Sequence, residues 1–81
     1  MKSNLDILCR YVRNTKSGSL QDIKNLMIAQ GRNMKNVKSD IKCLIETGVI
    51  KTDGIDWTIN PECTLWPAIN KRLHDANNQD Y

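Results

Sequence analysis

The break at Gly31-Arg32-Asn33 constrains this chain more than any other feature. Before it, Leu20, Ile23, Leu26 and Met27 recur at the three-and-four spacing of an amphipathic helix; after it, Met34, Val37, Ile41, Leu44 and Ile45 do the same. Gly31 stands where a left-handed residue ends a helix, and Gly48 stands at the corresponding place further on. The patterns therefore predict helices over 20–30 and 34–47. A connection of only about three residues is that of a helix-turn-helix, in which the second helix turns steeply off the first.

The flanking segments supply the rest of a small domain. Ser3 is followed three residues later by Asp6, a capping-box pattern, and Leu5, Leu8 and Val12 with Ile7 and Tyr11 predict a helix over 4–14. Ser19 and Asp22 repeat the start signal for the second helix, and TKSGS between the two reads as a polar loop. After the third helix, Asp53-Gly54 lies between β-prone runs and predicts a hairpin over 49–59. A two-residue type I′ turn would set Thr52 opposite Ile55, Lys51 opposite Asp56 and Ile50 opposite Trp57. Ile50, Ile55, Trp57 and Ile59 would then share the face made for burial, with Val49, Lys51, Asp56 and Thr58 on the other.

Asn60-Pro61 stops the hairpin, and Trp66, Ile69 and Leu73 predict a last helix over 66–76, with Pro67 in its first turn and 77–81 as a frayed tail. With no internal repeat and no linker, residues 1–81 read as a single domain, mainly α with a small β-hairpin (α+β).

Several function classes are disfavoured. No apolar run approaches the roughly 18–20 residues that span a bilayer, and Asp6 and Arg10 interrupt the N-terminal segment where a signal peptide would be apolar. A cytoplasmic protein is expected, with no membrane partner. Cys9, Cys43 and Cys63 are odd in number and lack a CxxC pair, and His74 stands alone, so neither a disulfide framework nor a metal site is expected. The thiols are expected to be buried or half-buried. No Ser-His-Asp set, phosphate loop or paired carboxylates stand out, so the chain reads as no enzyme, with no cofactor and no small-molecule ligand.

Charge is distributed unevenly. Residues 1–51 hold ten Lys or Arg against four acids, giving +6, and residues 52–81 hold two against five, giving −3. On the third helix the apolar side chains fall between about 340° and 80° when Val37 is set at 0°. Lys38, Lys42 and Lys35 follow at about 100°, 140° and 160°, and Ser39 at about 200°. Three lysines thus share an exposed stripe beside the buried one, a pattern suited to a polyanion.

Three segments carry a family resemblance: SLQDIKNLM as second helix, VKSDIKCLIETGVIK as third helix leading into a strand, and VIKTDGIDWTI as wing. They resemble the winged helix-turn-helix superfamily of DNA-binding domains, over roughly residues 4–60, and Leu-Ile-Glu-Thr-Gly-Val-Ile is similar to the phrase that ends the recognition helix in many such regulators. The resemblance implies a three-helix core, a short wing and an extra C-terminal helix. It implies a small sequence-specific regulator of transcription that puts its third helix into the major groove of double-stranded DNA, where it would be nucleoid-associated. The size is that of phage, plasmid or accessory bacterial regulators.

On that reading Arg32, Lys35 and Lys42 neutralise phosphates, Asn36 and Ser39 read base edges, Lys38 reaches guanine, as Lys35 does too, and Ser19 and Lys24 add backbone contacts. A homodimer is expected, with Leu65, Trp66, Ile69 and Leu73 as its interface. One departure stands out: the wing tip is Asp53-Gly54 with Asp56 close behind, and only Lys51 is basic. Such a wing is expected to brace the third helix rather than grip phosphates, and Asp53→Lys to leave the fold alone. The acidic wing and C-terminal part keep a second reading open, a winged helix module for protein–protein interaction in a larger assembly. The basic first part weighs against it.

Overall fold

Polar caps and left-handed glycines set the helix boundaries. The computed structural model describes residues 3–79, with side chains through residue 74. Its elements run α1 (Asn4–Thr15), β1 (Ser17–Ser19), α2 (Leu20–Ala29), α3 (Met34–Glu46), β2 (Ile50–Thr52), β3 (Asp56–Ile59) and α4 (Trp66–Gln79). Ser3 Oγ accepts from the Asp6 N–H at 3.1 Å while the Ser3 N–H donates to Asp6 Oδ2 at 3.4 Å, completing the capping box of α1. Ser19 Oγ accepts from the Asp22 N–H at the start of α2. Asn33, not anticipated as a cap, accepts from the Lys35 and Asn36 N–H groups at the start of α3.

The ends of α2 and α3 share one device. Gly31 has φ +71°, its N–H donates to the Ile28 carbonyl, and the Arg32 N–H reaches back to Met27. Gly48 has φ +82°, its N–H donates to Ile45, and the Val49 N–H reaches Leu44. Both are Schellman motifs, which satisfy carbonyls the helix end would orphan and fix the direction in which the chain leaves. The four-residue connection, Gln30 to Asn33, therefore delivers α3 at a set angle to α2.

A three-stranded antiparallel sheet of order β1-β3-β2 replaces the expected isolated hairpin. The loop predicted at TKSGS is in part strand β1: Ser17, Gly18 and Ser19 pair with Thr58, Trp57 and Asp56. Three residues are too few for periodicity to signal a strand, and Gly18 argues locally against one. The hairpin register also differs from that predicted. Ile50 faces Ile59, Lys51 faces Thr58 and Thr52 faces Trp57, so Asp53 to Asp56 form a four-residue connection in place of the type I′ turn. Asp53 Oδ1 accepts from the Ile55 and Asp56 N–H groups at 2.9 and 2.8 Å, and Thr52 Oγ1 donates to the Asp56 carbonyl at 2.7 Å. These side-chain bonds favour the wider turn.

A shift of two residues keeps Ile50, Trp57 and Ile59 on one face, but Ile55 moves into the turn and is 75% exposed. Val49, expected on the outer face, is buried because it precedes the strand as the last residue of the Schellman motif.

The core joins all layers: Leu8 and Val12 from α1, Ile23 and Met27 from α2, Val37, Ile41 and Leu44 from α3, Ile50 and Trp57 from the sheet, and Leu73 from α4. Cys9 is buried and Cys63 half-buried, but Cys43 is exposed, contrary to expectation. Helix α4 continues to Gln79, past the predicted end at 76; residues 80 and 81 of the predicted tail lie outside the described residues. No helix among the described residues is long and apolar enough to cross a membrane.

Candidate nucleic-acid interface

Helix α3 turns Val37, Ile41 and Leu44 inward and half-buries Met34 and Ile45, which leaves the other side of the helix to solvent. Lys35, Asn36, Lys38, Ser39 and Lys42 are all exposed there. The lysines lie along one flank. Asn36 and Ser39 lie on the other, where with Asp40 they border a shallow depression completed by Ser3, Asn4 and Leu5 at the start of α1. The uncapped-looking start of α3 is in fact held by Asn33, so its first turn projects as ordered helix.

Electrostatics differ among the lysines. Lys42 Nζ lies 3.7 Å from Glu46 Oε1, one turn along the helix, both side chains being largely exposed. Such a pair is weak, but it sets a carboxylate beside the ammonium that was expected to neutralise a phosphate. No ion pair is seen for Lys35 or Lys38 among the described residues. Arg32 is half-buried in the α2–α3 connection and engages another group through its own interactions.

The two expected helpers on α2 stand differently. Ser19 is half-buried, and its hydroxyl is engaged by the Asp22 N–H. It also pairs across the sheet with Asp56, so a phosphate there would meet a carboxylate neighbour. Lys24 is half-buried on α2. The turn between β2 and β3 exposes Asp53, Gly54, Ile55 and Asp56 together. The Asp53 carboxyl is held below the ordinary carboxylate range by the N–H groups of Asp56 and Ile55, so the tip stays negative.

Of the residues expected at a dimer interface, Leu65, Ile69 and Leu73 line one groove, whereas Trp66 lines a separate depression with Ile59 and Pro61. Leu73 is 1% exposed and belongs to the core of its own chain. Trp66 is half-buried and donates its indole N–H to the Asn60 carbonyl at 2.7 Å, and Ile69 packs against the core. Leu65 alone of the four is an exposed apolar side chain, at 41%. It borders an apolar groove with Leu5, Cys9, Cys43 and Ile69 between α1, α3 and α4. Helical spacing identified the apolar stripe of α4 correctly, but could not say that α1 and α3 already cover it.

No family model, curated protein or solved structure matches the chain. Among the described residues, no group of three or more His, Cys, Asp or Glu could hold a metal ion.

Proposed function

We propose that this chain is a winged helix-turn-helix protein that binds double-stranded DNA, with α3 as recognition helix and the β2–β3 hairpin as a wing, and that it regulates transcription as a homodimer. The observation that carries the reading is the exposed face of α3. Lys35, Lys38 and Lys42 line one flank, Asn36 and Ser39 the other, and a Schellman turn holds the helix at a fixed angle to α2. The order of three helices with a short strand between the first two, then a hairpin against that strand, supports the fold assignment. Lysines set the sequence-independent part of the affinity, and the amide of Asn36 is suited to an adenine edge. The acidic, short hairpin is assigned to support of α3, with Trp57 buried behind it.

The dimer surface is assigned to the groove between α1 and α4 that Leu65, Ile69 and Leu73 line with Leu5, where Leu5 and Leu65 are exposed. Fluorescence polarisation with duplex DNA over a range of salt concentrations tests the main reading. The expected result is sequence-dependent binding that weakens steeply with salt and is lost when Lys35, Lys38 and Lys42 are all changed to Ala. Binding that never exceeds the non-specific level at moderate salt would overturn it.

One observation favours the second reading, a winged helix module for protein interaction: Ile55 stands 75% exposed between Asp53 and Asp56. An apolar side chain flanked by carboxylates suits a basic protein surface better than a phosphate backbone.

A further inference from the structure

A cleft of about 570 Å³ opens between α1 and the C-terminal end of α2, on a side of the molecule that uses none of the α3 lysines. Arg10 and Asn14 come from α1, Gln30 and Arg32 from the end of α2 and the connection beyond it, and Ile7 and Leu26 provide apolar walls. Tyr11 also lines it and touches Trp57, with ring centroids 6.0 Å apart. Two guanidinium groups border this cleft and no carboxylate does, among the described residues.

Arg10 is the unusual member. Its Nε and Nη2 are closed off from solvent, yet neither donates a hydrogen bond among the described residues. Buried donors left unmade are unfavourable, and donors on a cation more so. Nε and Nη2 together form the edge of the guanidinium that fits two oxygens of one oxyanion side by side. Binding requires the long side chain to turn that edge from the wall into the cleft. An oxyanion there would meet a forked donor that has no competing partner.

We propose that this cleft binds a small phosphate monoester: the phosphate on the Nε/Nη2 edge of Arg10, the body of the ligand against Ile7 and Leu26, and the amides of Asn14 and Gln30 at its polar edge. Gln30 and Arg32 belong to the turn that sets the angle of α3, so occupancy reaches the element that leads into that helix. The assignment of the site does not depend on the chain binding DNA.

Isothermal titration of the full chain with adenosine monophosphate, and separately with inorganic phosphate, tests the proposal. Saturable binding of the nucleotide is expected, with phosphate weaker because it leaves the apolar walls uncovered. Arg10→Gln should weaken the nucleotide by at least about tenfold, and Arg10→Lys should not restore it, because the ammonium lacks the fork. Should Arg10→Gln fail to fold, the Arg10 Nε–H resonance of the wild type replaces it, and it should shift on titration with the nucleotide.

No saturable binding up to about 10 mM of either probe overturns the proposal. So does nucleotide affinity unchanged in folded Arg10→Gln, or an unmoved Nε–H signal at saturation. A duplex that competes strictly with the nucleotide would transfer the cleft to a backbone phosphate and overturn its assignment to a free small molecule. Simultaneous binding of both supports that assignment.

Discussion

Asp6 on α1 and Arg72 on α4 meet side-on, with Arg72 Nε 2.6 Å from Oδ1 and Nη2 3.3 Å from Oδ2. The same carboxylate accepts from the Ser3 N–H, so one side chain closes the start of α1 and fastens α4 to it. Burial pushes the Asp6 carboxyl up. The hydrogen bonds from Arg72 and Ser3, with the charge of Arg72, outweigh that and hold it below its ordinary value of 3.8. A carboxyl whose folded value lies below its unfolded value adds stability that is present above 3.8 and is lost as pH falls through the folded value. Asp6→Asn is expected to cost about 1–3 kcal/mol at neutral pH. Urea unfolding should show the difference from wild type shrinking as pH drops below about 4. A difference independent of pH would show that the charge of Asp6 is not what matters.

Trp57 occupies the centre of the sheet's inner face, 2% exposed, with Gly18 directly opposite in β1. A Cβ on residue 18 would lie 3.3 Å from Trp57 Nε1, so the glycine gives the indole room, and its backbone needs no left-handed freedom. Gly18→Val should cost about 1–3 kcal/mol by overpacking, and Trp57→Ala about 3–5 kcal/mol by leaving a cavity. The Trp57 indole N–H is buried without an acceptor, so Trp57→Phe removes an unsatisfied donor along with some volume. Thermal unfolding should therefore rank Trp57→Phe well above Trp57→Ala. Equal destabilisation by the two would contradict the role given to the indole N–H.

These two residues also show how far the sequence could be read. Asp6 was legible as a cap because Ser3 lies three positions before it, but its bond to Arg72 spans 66 positions and leaves no local pattern. The burial of Trp57 followed from alternation along the strand, whereas its neighbour Gly18 signalled a loop, because a glycine in a three-residue strand looks the same as one in a turn. Leu73 was legible as apolar and helical; whether that face met its own core or another chain depended on how α1 and α3 pack. The polar face of α3 needed only the helical period, and so all five of its expected contact residues are exposed. The Arg10 cleft had no such signal, since it is made by two helices meeting at their ends.

The hairpin tip separates folding from contact with DNA. Asp53 accepts two backbone N–H groups, so Asp53→Lys removes the acceptor that holds the turn and does not leave the fold alone, as its place at an exposed tip suggested. A lower midpoint than wild type is expected in chemical unfolding. Ile55→Lys is the cleaner probe, since that side chain is 75% exposed and only its backbone is engaged, by the Leu20 and Asp53 groups. It should leave the unfolding midpoint unchanged and, if the tip approaches a duplex, tighten DNA binding.

The lysines of α3 should not contribute equally to DNA binding. A lysine that neutralises one phosphate adds about 0.9 to the slope of log affinity against log salt, through release of one counterion. Lys35 lies in the first turn of α3 and shows no ion pair among the described residues, so Lys35→Ala should lower the slope by about that amount. Lys42 lies two turns further on with Glu46 at 3.7 Å, so part of its charge is already compensated. Lys42→Ala should lower the slope by less, and Glu46→Ala should tighten binding by freeing Lys42. Asn36→Ala leaves the charge unchanged; if Asn36 reads a base, it should keep the slope and cost about 1–3 kcal/mol only on the preferred sequence. Polarisation titrations of the four variants against a preferred and a scrambled duplex would separate these outcomes. Equal losses for Lys35→Ala and Lys42→Ala would mean that the Glu46 carboxylate turns away when DNA binds, and the site would then extend along the whole length of the helix.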